Sequence, residues 1–219
     1  MVPPERPPAS DQGSTAAVSA GAAVAAVTVL AVVGPPLGLS AWWIALAAGG
    51  GLAALTLDAA SFGGIGGHLL AEALPAGIGR ARLRRIAIHE AGHVLIADEN
   101  ALPVRQVLIG SRACLREGLQ ANGTTQLEPP DHAKMSLDDL RRWSQVLQAG
   151  MVAEHLVYGG SRGGADDRAL LGRLWGLSGY DVATAQLEQR RARREVEQLL
   201  RRRQSDLEQK AEQLLCTQP

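Results

Sequence analysis

The chain has 219 residues, 46% of them hydrophobic, with 22 Lys+Arg set against 22 Asp+Glu. That length suits one domain, or one domain with an appendage. The apolar content excludes a wholly disordered chain, and the interspersed charges exclude the broad basic face by which a nucleic-acid binder neutralises phosphates. Cys114 and Cys216 stand far apart with no CxxC pair, which fits neither a disulfide scaffold nor a thiolate zinc site.

Net neutrality hides an uneven division. Residues 1–79 hold one basic side chain, Arg6, and four acidic ones, while residues 80–219 hold 21 basic and 18 acidic. After an N-terminal tail, residues 1–13, no charge occurs from Gln12 to Leu57, and only Gly34-Pro35-Pro36-Leu37-Gly38 has breaker character. A membrane helix needs about 20 apolar residues, so the region 14–58 divides into two predicted spans, about 15–33 and 41–57, joined as an antiparallel hairpin. Trp42 and Trp43 suit an interfacial belt, and Gly49-Gly50-Gly51 would let helices approach closely. Arg80, Arg82, Arg84 and Arg85 follow the second span whereas the turn carries no basic residue, which predicts both termini on the cytoplasmic side. Glu5 beside Arg6 and four nearby prolines argue against a cleaved signal peptide. Residues 59–79, rich in glycine, are expected to form a semi-flexible connector.

The composition then changes. Arg84 to Ala97 reads as a helix carrying His89-Glu90-Ala91-Gly92-His93. Residues four apart share a helix face, so His89 and His93 can offer two nitrogens to one zinc ion, with Glu90 placed to take a proton from a water whose pKa the metal lowers to about 7. Gly92 costs about 1 kcal/mol relative to Ala in a helix interior, which suggests another element packed closely there. A hydrolytic zinc site usually has three protein ligands. His68 lies beside the predicted membrane segment and His132 in a Pro-rich loop, so a carboxylate is the natural third ligand: Glu154 in a predicted helix, or Asp166 or Asp167 after Gly163-Gly164-Ala165.

Beyond this region, Leu187, Val196, Leu200, Leu207, Ala211 and Leu214 recur at mostly helical spacing among eight basic and seven acidic side chains. Residues 183–219 are therefore expected to form an amphipathic, salt-bridge-laced helix, packed on its own domain or used for homo-oligomerisation.

The ordered segments resemble the FtsH family, membrane-anchored ATP-dependent zinc metalloproteases whose motif is HEAGH. Pro103 to Ile109 is similar to the family's strand after the zinc helix, and Gly123-Thr124-Thr125 to its short strand before a polar loop. Leu147 to Gly159 is similar to the family's GGRAAEELVFG. The likeness covers roughly residues 84–180, within a predicted protease domain at 80–182. The implied fold class is mainly α: a transmembrane helical hairpin, then a helical HExxH zinc-protease domain with a small β-hairpin. The family takes its third ligand from the Asp of a G-A-x-N-D segment. This chain reads Gly164-Ala165-Asp166-Asp167-Arg168, so an ungapped alignment would place that Asp on Arg168 and a one-residue deletion places it on Asp167, with Asp166 the substitute. Glu154 matches a family glutamate and would orient a ligand histidine.

The family carries an ATPase module between hairpin and protease. Here the two lysines, Lys134 and Lys210, do not follow glycine, so no phosphate-binding loop is present in the sequence and the chain is not expected to hydrolyse ATP itself. The resemblance thus implies a membrane-anchored zinc metalloendopeptidase acting on unfolded or membrane-protein substrates, alone or fed by an FtsH-type or other AAA ATPase partner. The alternative is a weakly catalytic relative that serves full-length proteases as an adaptor or regulatory subunit.

Overall fold

A computed structural model describes residues 27–62, 65–73, 78–128 and 134–217. The chain divides into two compact units, Met1–Gly64 and Ile65–Pro219, and the described residues are mainly helical with one small antiparallel sheet.

In the first unit residues 27–33 are helical and stop at the predicted Gly/Pro turn. Pro35–Leu37 form a single 3-10 turn, and Gly38 closes it at φ +83°, a left-handed conformation that glycine adopts without steric cost. Helix α1, Ala41–Phe62, follows. Its Trp42, Trp43, Leu46, Leu52 and Leu57 are exposed. Among the described residues, Ala41–Asp58 is the one helix long and apolar enough to cross a membrane, at a mean hydropathy of 1.3. Most of the first predicted span, residues 15–26, lies outside the described residues, as does the tail at 1–13.

The region of the expected glycine-rich connector, 59–79, is helical where it is described. Helix α1 runs on to Phe62, and a further helix, α2, spans Ile65–Ala73. The glycines that suggested flexibility cluster before position 68; the run from His68 to Ala73 has neither Gly nor Pro and favours a helix.

Helix α3, Ile78–Glu99, is the axis of the second unit. From Ala87 to Ala97 it is buried at all positions but Val94, so its sequence is apolar around most of its circumference rather than on one stripe. Strands β1, Val104–Ile109, and β2, Gly123–Leu127, pair antiparallel with Ile109 opposite Gly123 and Val107 opposite Thr125; a register shift at Arg105 interrupts the ladder. A short helix α4, Ser111–Arg116, connects them.

Helix α5, Leu137–Tyr158, opens on Ser136, whose side chain accepts from the Asp139 amide. It crosses α3 at Gly92, where a Cβ would lie 2.8 Å from both the Ala149 carbonyl oxygen and Ala153 Cβ. The interior glycine therefore marks the close helix crossing that its cost in propensity predicts. Helix α6, Ala165–Ser178, packs on α5 through Leu140, Trp143 and Leu147 against Leu171, Leu174 and Trp175. Trp175 Nε1 donates to Ser144 Oγ at 3.0 Å, satisfying a buried indole.

The expected single C-terminal helix is two, α7 at Val182–Arg202 and α8 at Gln204–Thr217. The cause is a change of partner. Helix α7 binds α5, with Arg141 on Glu188 at 2.8 Å and Gln148 donating to the Gln189 carbonyl. Helix α8 turns its Leu207 and Ala211 into the α3 core, and Arg203 at the break reaches Glu99 of α3 and Asp206.

Candidate metal centre

His89 and His93 are 8% and 4% exposed, one turn apart on α3, with ring centroids 4.8 Å from each other. Each is fixed at Nδ1. In His93 that nitrogen donates to the Val146 carbonyl oxygen of α5 at 2.7 Å, and since a carbonyl only accepts, the tautomer is set and Nε2 is left to act as a base or ligand. In His89, Nδ1 lies 2.7 Å from Oε1 of Glu154. The two Nε2 atoms face the same point, occupied on its third side by Asp167 Oδ2, 3.2 Å from His89 Nε2 and 3.3 Å from His93 Nε2.

Asp167 reaches this point because Gly164, at φ +86°, turns the chain into the first turn of α6, where acidic side chains also suit the helix dipole. A Cβ at Gly150 of α5 would overlap Nε2 of both histidines, so the absence of a side chain there leaves the gap between ligands and helix. A Cβ at Gly163 would lie 3.1 Å from Glu154 Oε1 and from His89 Cε1.

Glu154 is a hub rather than a corner of the triangle. Besides His89 it accepts from the Arg162 amide at 2.9 Å and the Gly163 amide at 3.2 Å, and Arg85 Nε donates to its Oε2 at 2.6 Å. Arg85 also donates to the Gly160 carbonyl oxygen and lies over the Tyr158 ring, 4.7 Å from its centroid. The buried carboxylate thereby ties α3, the end of α5 and the loop that delivers Asp167. Burial alone would raise its pKa, but hydrogen bonds from His89, the Arg162 amide and Arg85 hold it at about 2. The same competition lowers Asp167: its burial is outweighed by hydrogen bonds to His89 and His93. For His89, burial disfavours the imidazolium, yet Asp167 and Glu154 raise its pKa to about 10.

Glu90, 5% exposed, stands outside the ligand triangle. Thr125 Oγ1 of β2 donates to its Oε2 at 2.8 Å, and Gly123 fits so closely that a Cβ would lie 2.9 Å from its Oε1. Desolvation raises the Glu90 pKa, opposed by the charge of the neighbouring histidines. A buried carboxyl group of raised pKa beside a cluster of ligating type is the kind of group that can carry proton transfer.

Three of the candidate residues read from the sequence thus converge: one potential ligand atom each from His89, His93 and Asp167 falls within 4.8 Å of the others. Asp166 is exposed and outside the group, and Glu154 binds a ligand histidine's far nitrogen. His155 is exposed, His68 is outside the group, and His132 lies outside the described residues. Sequence reasoning missed Arg85, Thr125 and Gly150. Only Arg85 carried a signal, being one helical turn before His89. The donor set fits zinc: two imidazoles with correctly engaged second nitrogens and one carboxylate. No protein-family model matches the chain, and no curated protein matches it significantly.

Proposed function

We propose that the chain is a membrane-anchored zinc metalloendopeptidase that cleaves unfolded or membrane-protein segments. The observation that supports this most is the convergence of His89 Nε2, His93 Nε2 and Asp167 Oδ2 beside the buried carboxylate of Glu90. His89, His93 and Asp167 would hold the ion, and zinc bound there supplies a Lewis acid for a peptide carbonyl and lowers the pKa of a water to about 7.

The protein's own groups have separable tasks. Glu90 takes a proton from the attacking water and passes it to the departing amine, a task matched by a carboxyl pKa raised through burial. Thr125 fixes the Glu90 rotamer through Oε2. Glu154 and Val146 set the histidine tautomers. Strand β2 pairs with β1 on one edge, and its other edge suits an extended substrate.

The anchor in this proposal consists of α1 and a first span at about 15–33. Of the four arginines that argue for a cytoplasmic domain, Arg82 and Arg85 are engaged inside the unit by Asn122 and Glu154, while Arg80 is exposed and Arg84 pairs at the surface with Glu212.

The test is zinc stoichiometry and cleavage of an unfolded protein by the full chain in detergent. One zinc per chain is expected, with cleavage lost and zinc retained in Glu90→Gln. Absence of zinc, or cleavage indifferent to Glu90→Gln, refutes the proposal; stoichiometric zinc without any cleavage favours the regulatory-subunit alternative. A reporter fused after Pro219 that is active only outside the cytoplasm refutes the orientation.

A further inference from the structure

Helix α3 presents Arg82, Ile86 and Glu90 at successive intervals of four, so the three share one face. The approach to β2 follows that face in order. Arg82 Nη2 donates to Asn122 Oδ1 at 3.0 Å; a Cβ at Gly123 would overlap Ile86; and Thr125 Oγ1 donates to Glu90 Oε2 at 2.8 Å. The catalytic end of this contact is therefore aligned from its far end, where Asn122 sits.

Asn122 has a second partner. Ser111 Oγ donates to the same Oδ1 at 2.8 Å, and Ser111 is wholly buried. The backbone around Ser111 is in turn gripped by a carboxylate from the helix that precedes α3. Glu72 Oε1 accepts from the Ser111 amide at 2.6 Å, and Oε2 from the Arg112 amide at 3.4 Å. Charge-assisted bonds of this kind are about twice as strong as neutral ones. Cys114, between the two carboxylates, senses both: burial raises its thiol to about 11, with Glu90 and then Glu72 adding to the effect.

We infer that Glu72 is a positioning residue for Glu90, clasping the 111–112 amides and, through Ser111 and Asn122, holding the start of β2 so that Gly123 and Thr125 close on the Glu90 carboxylate. Glu72 lies in the segment that links the apolar helix α1 in sequence to the site. Of this, only the activity readout rests on the proteolytic reading.

The test uses the full zinc-loaded chain in detergent, with Glu72→Ala, Glu72→Gln, Asn122→Ala and the exposed-pair control Glu212→Ala. In Glu72→Ala the amides of residues 123–127 exchange about tenfold faster, and kcat falls about tenfold with zinc content and KM unchanged, loss of the short charge-assisted bond to the Ser111 amide being worth about that factor and the long one to Arg112 adding little. Glu72→Gln, which keeps one acceptor oxygen, recovers most of both effects, Asn122→Ala reproduces them, and Glu212→Ala matches wild type. Wild-type exchange at residues 123–127 in both Glu72→Ala and Asn122→Ala overturns the inference. Should Glu72→Ala fail to fold, Glu72→Gln against Asn122→Ala decides by the same exchange readout. If the wild-type chain cleaves nothing, the proteolytic reading falls while exchange at residues 123–127 still decides the role of Glu72.

Discussion

Asp167 Oδ2 stands 3.2 Å from Nε2 of His89 and so joins α6 directly to α3, two helices that both pack on α5. Replacing Asp167 with Ala removes the carboxylate that lies against Nε2 of both imidazoles. Zinc affinity should fall by at least about 100-fold, whereas exposed Asp166→Ala should change it less than about twofold. Competitive titration against a chromophoric chelator measures both; equal losses would contradict the assignment of the ligand.

Gly150→Ala separates stability from metal binding. Ala is favoured over Gly in a helix interior by about 1 kcal/mol, but here the added methyl would overlap Nε2 of both histidines. The variant should fold with native helix content by circular dichroism and lose zinc. Full zinc occupancy in a folded Gly150→Ala would show that the gap beside α5 has no role in holding the ion.

Arg85→Ala leaves the buried Glu154 carboxylate without its guanidinium, and removing one partner of a buried ion pair costs about 3–5 kcal/mol. Two amide bonds from Arg162 and Gly163 remain, so the lower end of that range is expected in chemical denaturation. Glu154→Gln should cost less in stability but lower zinc affinity by about 10-fold, because a neutral amide oxygen is a weaker acceptor for His89 Nδ1–H than the carboxylate that orients it. A stability loss below about 1 kcal/mol for Arg85→Ala would place that arginine outside the supporting network.

The metal-free chain should be most stable in mildly acidic solution. Glu154 is held at about 2, below its ordinary 4.5, so its contribution is complete above 4.5 and is lost as the pH falls towards 2. His89 is raised to about 10 from 6.5, so its contribution is complete below 6.5 and is lost as the pH rises through 10. Thermal unfolding against pH should thus show a maximum between those limits. Zinc replaces the shared proton on the His89–Asp167 pair, so the zinc-loaded protein should not show the alkaline decline up to pH 9. An alkaline decline of equal size with and without zinc would mean that the ion does not bind at His89.

Local patterns were the most legible part of the fold and site. The Gly34–Gly38 turn followed from backbone restrictions of Gly and Pro, and the pairing of His89 with His93 from helical periodicity. Gly92 signalled a close crossing, though not that Ala149 and Ala153 would supply it. The choice of Asp167 over its neighbour Asp166 depended on the phase of α6 after Gly164, a tertiary property that spacing in the chain does not encode. The kink at Arg203 had no local breaker, since it comes from α7 and α8 packing on different helices. The arginines after the apolar helix looked alike in sequence, yet Arg85 serves a buried carboxylate and Arg84 an exposed pair with Glu212.

The distance along the chain between His93 and Asp167, 74 positions, gives the cluster a mechanical meaning as well as a chemical one. An ion shared by these side chains cross-links α3 to α6 and closes a long loop, the kind of clasp that removes most freedom from the unfolded chain. In the proposed zinc-loaded protein Asp167 would therefore staple the first turn of α6 to the rest of the unit, and loss of the ion would free that turn from the tie.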